Sequence, residues 1–233
     1  MVFGKEDHVC LLKKSLYGLK QSPRQWYLRF DSFMITHAFN RCSYNCCVYF
    51  KKISGGRMIY LLVHVDDMLI TCHDKKENDH LKKLLSREFE MKELGEAKRI
   101  LGIDIIRNKT KKSLFLTQQT YIQKVLVRFG MNYGKQVQTP LASHFKLSAA
   151  QCPQTEAKQQ KMACIPYSSV VGSLMYVMVL TRPDISHVVS LVSRFMANPG
   201  YEHWRVVQWI MRYLKGTLEV GWSMLEKTKM DTH

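Results

Sequence analysis

The stretch that decides the fold is Arg57-Met58-Ile59-Tyr60-Leu61-Leu62-Val63-His64-Val65-Asp66-Asp67-Met68-Leu69-Ile70-Thr71-Cys72. Two apolar runs rich in strand formers, 57–65 and 68–72, flank a pair of carboxylates. Runs of this kind read as strands, and a two-residue interruption between them reads as a tight hairpin turn. Adjacent carboxylates at the tip of an apolar hairpin repel each other and resist desolvation. A divalent cation relieves both costs, because hard Mg²⁺ takes carboxylate oxygens and keeps positions open for phosphates. The residues alone leave a second reading open: a solvent-exposed turn in which aspartate is simply a good turn former.

Working outward, Ser22-Pro23 predicts the start of a helix, with Ser22 as cap and proline at the first helical position. Trp26, Tyr27, Phe30, Phe33 and Met34 follow at helical spacing and make one apolar face, read as core rather than as a base-stacking platform. Tyr121, Ile122, Val125, Leu126 and Phe129 predict a second amphipathic helix over 121–130. Ser148 to Lys161, rich in Gln, Ala, Lys and Ser, reads as an exposed linker. Beyond it, Pro183 predicts a helix start and Asn198-Pro199-Gly200 its end. Trp204, Val207, Ile210, Met211 and Leu214 predict a last helix, stopped at Gly216.

Composition limits the function. Hydrophobic residues make up 46% of the 233, which excludes a wholly disordered chain. Lys and Arg number 35 against 19 acids, a formal charge of +16. Such an excess points to a polyanionic partner, nucleic acid or an anionic membrane, or to a basic surface that serves solubility alone. The apolar run Val170 to Leu180 is too short for a bilayer, which takes about 20 apolar residues. Met1 to His8 has no apolar signal core, so the expected setting is intracellular, cytoplasmic or nuclear, with no membrane and no secretion. Seven scattered cysteines (Cys10, Cys42, Cys46, Cys47, Cys72, Cys152 and Cys164) lack zinc spacing and are expected to be buried free thiols.

Several motifs, in order, carry a resemblance. Leu12-Lys13-Lys14-Ser15-Leu16-Tyr17-Gly18-Leu19-Lys20-Gln21-Ser22-Pro23-Arg24-Gln25-Trp26 resembles the "KSLYGLKQ-x-PR-x-W" signature of copia-type retrotransposon reverse transcriptases. Val65-Asp66-Asp67 resembles that family's "YVDD" hairpin. Phe89 to Gly95, Leu101-Gly102-Ile103, Val171 to Tyr176, Thr181 to Ile185 and Arg212 to Thr217 are similar to the segments that follow, so the likeness runs over about residues 9 to 222.

The resemblance implies an α+β fold: a partial right-hand polymerase palm, an antiparallel sheet with helices, followed by a thumb and a helical connection. The expected segments are 1–107 for the palm, 108–147 for the thumb, 148–164 for a linker, 165–222 for the helical connection and 223–233 for a tail. It implies RNA-directed DNA polymerase chemistry with two Mg²⁺ (or Mn²⁺) ions, one activating the primer 3′-hydroxyl and one holding the triphosphate. Asp66 and Asp67 are then the metal ligands and catalytic carboxylates. Tyr17, Gly18, Lys20 and Gln21 fall at the nucleotide and template, and Leu101 and Gly102 in the primer grip. Lys124 and Arg128 are placed to meet the nucleic-acid backbone. The implied partners are an RNA template, a DNA primer and deoxynucleoside triphosphates, with the upstream and ribonuclease H parts of a polyprotein.

Three departures bear on activity. The family's other metal-binding carboxylate lies upstream of the Leu16-Tyr17-Gly18 segment, where Val2 to His8 offers no strand-like run for it. His64 stands where the family has tyrosine, and the likeness ends after Gly221-Trp222. The expectation is therefore a fragment truncated at both ends and inactive alone. The alternatives are a non-catalytic nucleic-acid-binding remnant and a decayed reading frame without selected function.

Overall fold

A computed structural model describes residues 12–13, 15–16, 18–65 and 67–225. The chain forms two compact units, Met1–Gly95 and Glu96–His233. The first begins, among the described residues, with two tight turns, Leu19 N–H to the Leu16 carbonyl and Ser22 N–H to the Leu19 carbonyl, before helix α1 (Ser22–Thr36). Proline does sit in the first turn of α1, but Ser22 is not its cap. The Ser22 hydroxyl instead donates to the Leu16 carbonyl at 2.6 Å, closing the preceding turn, and the cap position falls to Gln21 without a side-chain bond.

Strands β1 (Asn40–Arg41), β2 (Val48–Lys52), β3 (Met58–His64) and β4 (Asp67–Cys72) follow, then helix α2 (Lys75–Glu88). The sheet is antiparallel throughout, in the order β1-β2-β3-β4. Alternation decides its two faces. Ile59, Leu61 and Val63 are buried, while Tyr60, Leu62 and His64 between them are exposed or half-buried. The buried set packs with Tyr49, with Phe30 and Met34 of α1, and with Leu81 and Leu85 of α2. Each fully buried apolar side chain there contributes about 1.5–3 kcal/mol relative to exposure. Trp26 stacks on Phe30 at 5.2 Å, but of the expected apolar stripe only Phe30 and Met34 are buried, Tyr27 and Phe33 are half-buried, and Trp26 stays exposed at the edge of the core. Helix α2 is capped by Asp74, whose carboxylate accepts from the Lys76 N–H at 2.9 Å.

Asp31 is the main polar anchor of this unit. It accepts from Arg41 Nε at 2.9 Å and from the Tyr49 hydroxyl at 2.8 Å. Burial works to raise its pKa, but the hydrogen bonds from Arg41 and Tyr49 and the Arg41 charge outweigh it and hold the carboxyl below its ordinary value. Tyr49, pushed up mainly by burial and then by Tyr27 and Asp31, stays protonated and donates.

The second unit opens with β5 (Arg99–Ile100), β6 (Ile103–Asn108) and β7 (Ser113–Thr117). It continues with α3 (Gln119–Arg128), α4 (Glu156–Ala163), α5 (Tyr167–Leu180), α6 (Ser186–Ser193) and α7 (Tyr201–Gly216), and closes with β8 (Trp222–Leu225). Its sheet, β5-β6-β7-β8, is also antiparallel. The core lies among the helices. Tyr167, Val170, Val171, Leu174 and Val177 of α5 meet Val188, Val189 and Val192 of α6 and Val206, Val207, Ile210, Met211 and Leu214 of α7, with Ile122 and Leu126 of α3 beside them.

The elements fall differently from several expected bounds. A boundary at residue 107 would cut the β6–β7 hairpin, whose register pairs Arg107 with Leu114, and the compact units instead divide after Gly95. The linker is partly helical: α4 occupies its second half and anchors through buried Met162. The helix expected from Pro183 to residue 197 begins as a 3₁₀ turn, Pro183–Ile185, and its α-helical part ends at Ser193. The tail expected from 223 gives Ser223, Met224 and Leu225 to β8, paired with β7. Among the described residues, no single helix is long and apolar enough to cross a membrane. The six described cysteines are free as expected, but none is buried: Cys46 and Cys164 are exposed and the other four are half-buried.

A buried arginine ties the helices together. Arg182 is completely buried between α5 and the 3₁₀ turn. Its Nε and one terminal nitrogen reach the Asp184 carboxylate at 3.0 and 2.7 Å, and its terminal nitrogens donate to the Thr217 carbonyl at 2.8 Å and hydroxyl at 2.6 Å. The Tyr213 hydroxyl donates to the same Asp184 oxygen at 2.8 Å. Burial works to raise the Asp184 pKa, and the bonds from Arg182 and Tyr213 overcome it, leaving the carboxyl below its ordinary value.

Candidate functional site

The hairpin of β3 and β4 carries the carboxylate pair. Its register pairs His64 with Asp67, so Asp67 is not a turn residue as expected but the first residue of β4. The turn lies one residue earlier and is entered through Val65, whose φ of 53° is left-handed. A β-branched side chain disfavours that region, so the turn is strained. Asp66, the other carboxylate, lies outside the described residues, as does Tyr17.

Directly opposed residues in an antiparallel pair share a face. Asp67 therefore stands with His64, Leu62 and Leu69 on the face away from the helices, since Val63 and its partner Met68 belong to the helix-packed core. Asp67, Val65 and His64 are exposed. Among the described residues the Asp67 carboxylate has no hydrogen bond or ion pair. Among the described residues the site thus offers an exposed, unpaired hard-oxygen donor on the sheet face opposite α1 and α2, beside half-buried Leu62 and Leu69. Its donor chemistry suits a magnesium-type ion. Among the described residues, however, no three His, Cys, Asp or Glu side chains cluster as a complete metal site.

Gly18, Lys20 and Gln21 lie in the same unit, in the turns that lead into α1, and all three are exposed. Gly18 has a φ of 93°, a conformation that glycine alone adopts readily, and a Cβ there would meet nothing within 4 Å. Backbone at that point is open to close approach by a ligand. No hydrogen bond or ion pair joins these three residues to Asp67 among the described residues.

Leu101 and Gly102 lie in the second unit, at the β5–β6 turn, with φ of 50° and 69°. Two tyrosines hold the turn. The Tyr176 hydroxyl donates to the Leu101 carbonyl at 2.6 Å, and a Cβ on Gly102 would sit 3.7 Å from the Tyr121 ring and 3.8 Å from the Tyr176 ring. Asp104 accepts from Arg99 Nε at 2.5 Å and from the Thr120 N–H at 3.3 Å, tying the hairpin to the start of α3. Burial works to raise the Asp104 pKa, and these bonds outweigh it and lower it. Lys124 and Arg128 are exposed on α3, one turn apart, and the Arg128 guanidinium lies 5.2 Å from the Phe129 ring. The tyrosine clasp of Tyr121 and Tyr176 was missed from the sequence, since Tyr121 read as part of a helix face and Tyr176 only as the end of a motif segment, 55 positions away.

The geometry and motifs together define a class. A sequence profile described as reverse transcriptase (RNA-dependent DNA polymerase) matches residues 2–143, and the chain belongs to that family. Among its relatives, a retrovirus-related Pol polyprotein from transposon TNT 1-94 of Nicotiana tabacum is 55% identical over 93% of this chain and 16% of its own length. The Pol polyprotein from transposon RE1 of Arabidopsis thaliana is 35% identical over 98% of the chain and 15% of its own length. A putative transposon Ty5-1 protein of Saccharomyces cerevisiae is 33% identical over 91% of the chain and 66% of its own length. The chain is thus a reverse transcriptase region of the copia-type Pol kind and spans about 16% of the tobacco polyprotein. No solved structure matches it.

Proposed function

We propose that this chain contributes the carboxylate hairpin of an RNA-directed DNA polymerase, which extends a DNA primer on an RNA template from deoxynucleoside triphosphates. The observation that carries the reading is the exposed Asp67 carboxylate, unpaired among the described residues, on the sheet face opposite α1 and α2. Asp66 and Asp67 would hold Mg²⁺ or Mn²⁺, which when bound activates the primer hydroxyl and neutralises the triphosphate. His64, opposite Asp67, would border the primer end. Tyr17, Gly18, Lys20 and Gln21 would face nucleotide and template, with the open backbone at Gly18 admitting close contact.

The clasped Leu101-Gly102 turn would serve as primer grip, where rigidity matters because small misplacement costs rate. Lys124 and Arg128 would meet backbone phosphates from a thumb-like α3. The first unit corresponds in this reading to part of a palm. Polymerisation would further need a third carboxylate from outside the hairpin, supplied by a neighbouring part of a Pol polyprotein. The setting would be intracellular, in the cytoplasm or nucleus. A second reading, a non-catalytic nucleic-acid-binding remnant, draws on the lack of a three-ligand cluster among the described residues.

Mn²⁺ titration followed by ¹⁵N resonance broadening tests the metal assignment. Broadening centred on His64, Val65 and Asp67, and lost in Asp67→Asn, is the expected result. Broadening elsewhere, or unchanged in the variant, contradicts it.

A further inference from the structure

A cleft of about 500 Å³ lies in the second unit between α7 and the 131–145 segment. Its lining includes Lys135, His144, Phe145, Arg205, Trp209 and Arg212. Three of these recur on α7 at positions 205, 209 and 212, a spacing that puts a cation, an aromatic ring and a second cation on one helical face. Val206, Val207, Ile210 and Met211 are buried on the other side, so this face is left to the cleft.

The opposite wall is fastened to α7. Trp209 Nε1 donates to the Thr139 carbonyl at 2.8 Å, Arg212 Nε to the Lys135 carbonyl at 2.6 Å, and Lys215 Nζ to the Gly134 carbonyl at 2.9 Å. These bonds shape the cleft without neutralising it. The terminal nitrogens of Arg212 and the Lys135 ammonium keep no hydrogen-bond partner among the described residues. Among the described residues, no carboxylate lines the cleft. The nearest compensation is Glu202, which pairs with Arg205 at 3.1 Å with both side chains about half exposed, a weak pairing in water.

The aromatic side of the cleft is as specific as the charged side. The Arg212 guanidinium lies 5.2 Å from the Trp209 ring, and His144 and Phe145 meet that ring edge-on at 5.9 and 5.6 Å. Cations beside flat π surfaces in a concave site are the chemistry that holds an unstacked base and its phosphate. We propose that this cleft binds a nucleotide unit of single-stranded nucleic acid. Its phosphate lies on Lys135, Arg205 and Arg212, and its base lies against the exposed His144 ring and Trp209. A duplex keeps its bases stacked and cannot fill such a cavity. An acidic peptide would satisfy the cations and leave the aromatic wall wet. The inference rests on the nucleic-acid reading above and extends it to a second site, distinct from the carboxylate hairpin.

The test uses the full chain and a fluorescent single-stranded oligo-dT or oligo-U of about 12 nucleotides, a length in the range of single-strand sites. The double variant Lys135→Glu with Arg205→Glu is compared with Lys158→Glu and Lys161→Glu, an equal charge change on exposed residues of α4. Binding should weaken by at least about tenfold in the first and by under about twofold in the second. A 4-thiothymidine oligonucleotide crosslinked to the unaltered chain should map to residues 131–145 or to α7. Equal weakening in both variants, no weakening in either, or crosslinks confined to other segments would overturn the proposal. Displacement of the oligonucleotide by poly-glutamate at equal charge concentration would do so too, assigning the cleft to an acidic protein partner. None of these variants touches Asp66 or Asp67, so such a failure leaves the polymerase reading to its own test.

Discussion

Replacing Arg182 with methionine is the sharpest perturbation the fold offers. Methionine keeps most of the aliphatic volume, so the change deletes charge and hydrogen bonds rather than opening a large cavity. Four bonds go: two to Asp184, one to the Thr217 carbonyl and one to its hydroxyl. The stacking of Arg182 on Tyr213, at 5.4 Å, goes with them. Breaking a buried ion pair costs about 3–5 kcal/mol because the partner is left unpaired. Here Asp184 keeps about a third of its side chain in water and the Tyr213 bond, so it rehydrates and the cost falls at the low end. The expected loss is about 3 kcal/mol, which for a urea dependence of about 2 kcal/mol per molar lowers the midpoint by about 1.5 M. Asp184→Asn leaves the completely buried Arg182 cation without a counter-charge and should cost at least as much, about 3–5 kcal/mol. Urea unfolding followed by tryptophan fluorescence reads this directly, since Trp204, Trp209 and Trp222 lie in the same unit.

The pH dependence has a fixed sign. The folded Asp184 carboxyl titrates below its unfolded value, so its stabilisation is complete above an unfolded pKa of about 4 and is lost as pH falls through the folded value. The gap between parent and Arg182→Met should therefore narrow in acid. A variant within about 1 kcal/mol of the parent at neutral pH would refute the claim that this cluster locks α7 to the 3₁₀ turn.

Other perturbations have equally definite outcomes. Val65→Gly should raise stability by about 1 kcal/mol, read as a higher Tm, because it relieves a β-branched residue at positive φ. Gly172→Ala, where a Cβ meets nothing within 4 Å in the middle of α5, should stabilise by about 0.5–1 kcal/mol. Gly200→Ala should do the opposite in the same thermal assay, losing about 2 kcal/mol or more, because its Cβ would overlap the Gln151 carbonyl oxygen. Binding to an RNA–DNA duplex should fall steeply with salt, and Lys124→Gln with Arg128→Gln should reduce the slope of log affinity against log salt by about 2.

How far these features were legible in the sequence depended on whether burial was periodic. The β3–β4 hairpin, α1, α3 and α7 announce themselves because their core residues recur at strand or helix spacing. The hairpin was misjudged by one residue, since an exposed Asp67 at a strand end costs nothing and the left-handed position fell to Val65, a residue no turn preference would choose. Helix α4 was invisible because Met162 is its sole buried residue. Strand β8 was invisible for a different reason: all four of its residues are exposed, and its partner β7 lies more than a hundred positions earlier.

Arg182 reads as a surface charge in any single sequence, and only the convergence of Asp184, Tyr213 and Thr217 makes its burial tolerable. The α7 cleft did leave a signal, the Arg205, Trp209 and Arg212 spacing, which the apolar stripe on the other face overshadowed. The carboxylate pair itself was legible as a motif, and the expectation that it binds metal came from the resemblance.

Primer extension on an RNA template tests the central claim most directly. The chain is joined to the preceding Pol segment of its tobacco relative and assayed with Mg²⁺, with and without Asp66→Asn and Asp67→Asn. The fused parent should extend the primer, and the double variant should keep its fold and nucleic-acid binding while losing at least about a thousandfold in rate. Undiminished extension by the double variant would show that these carboxylates do not carry the chemistry.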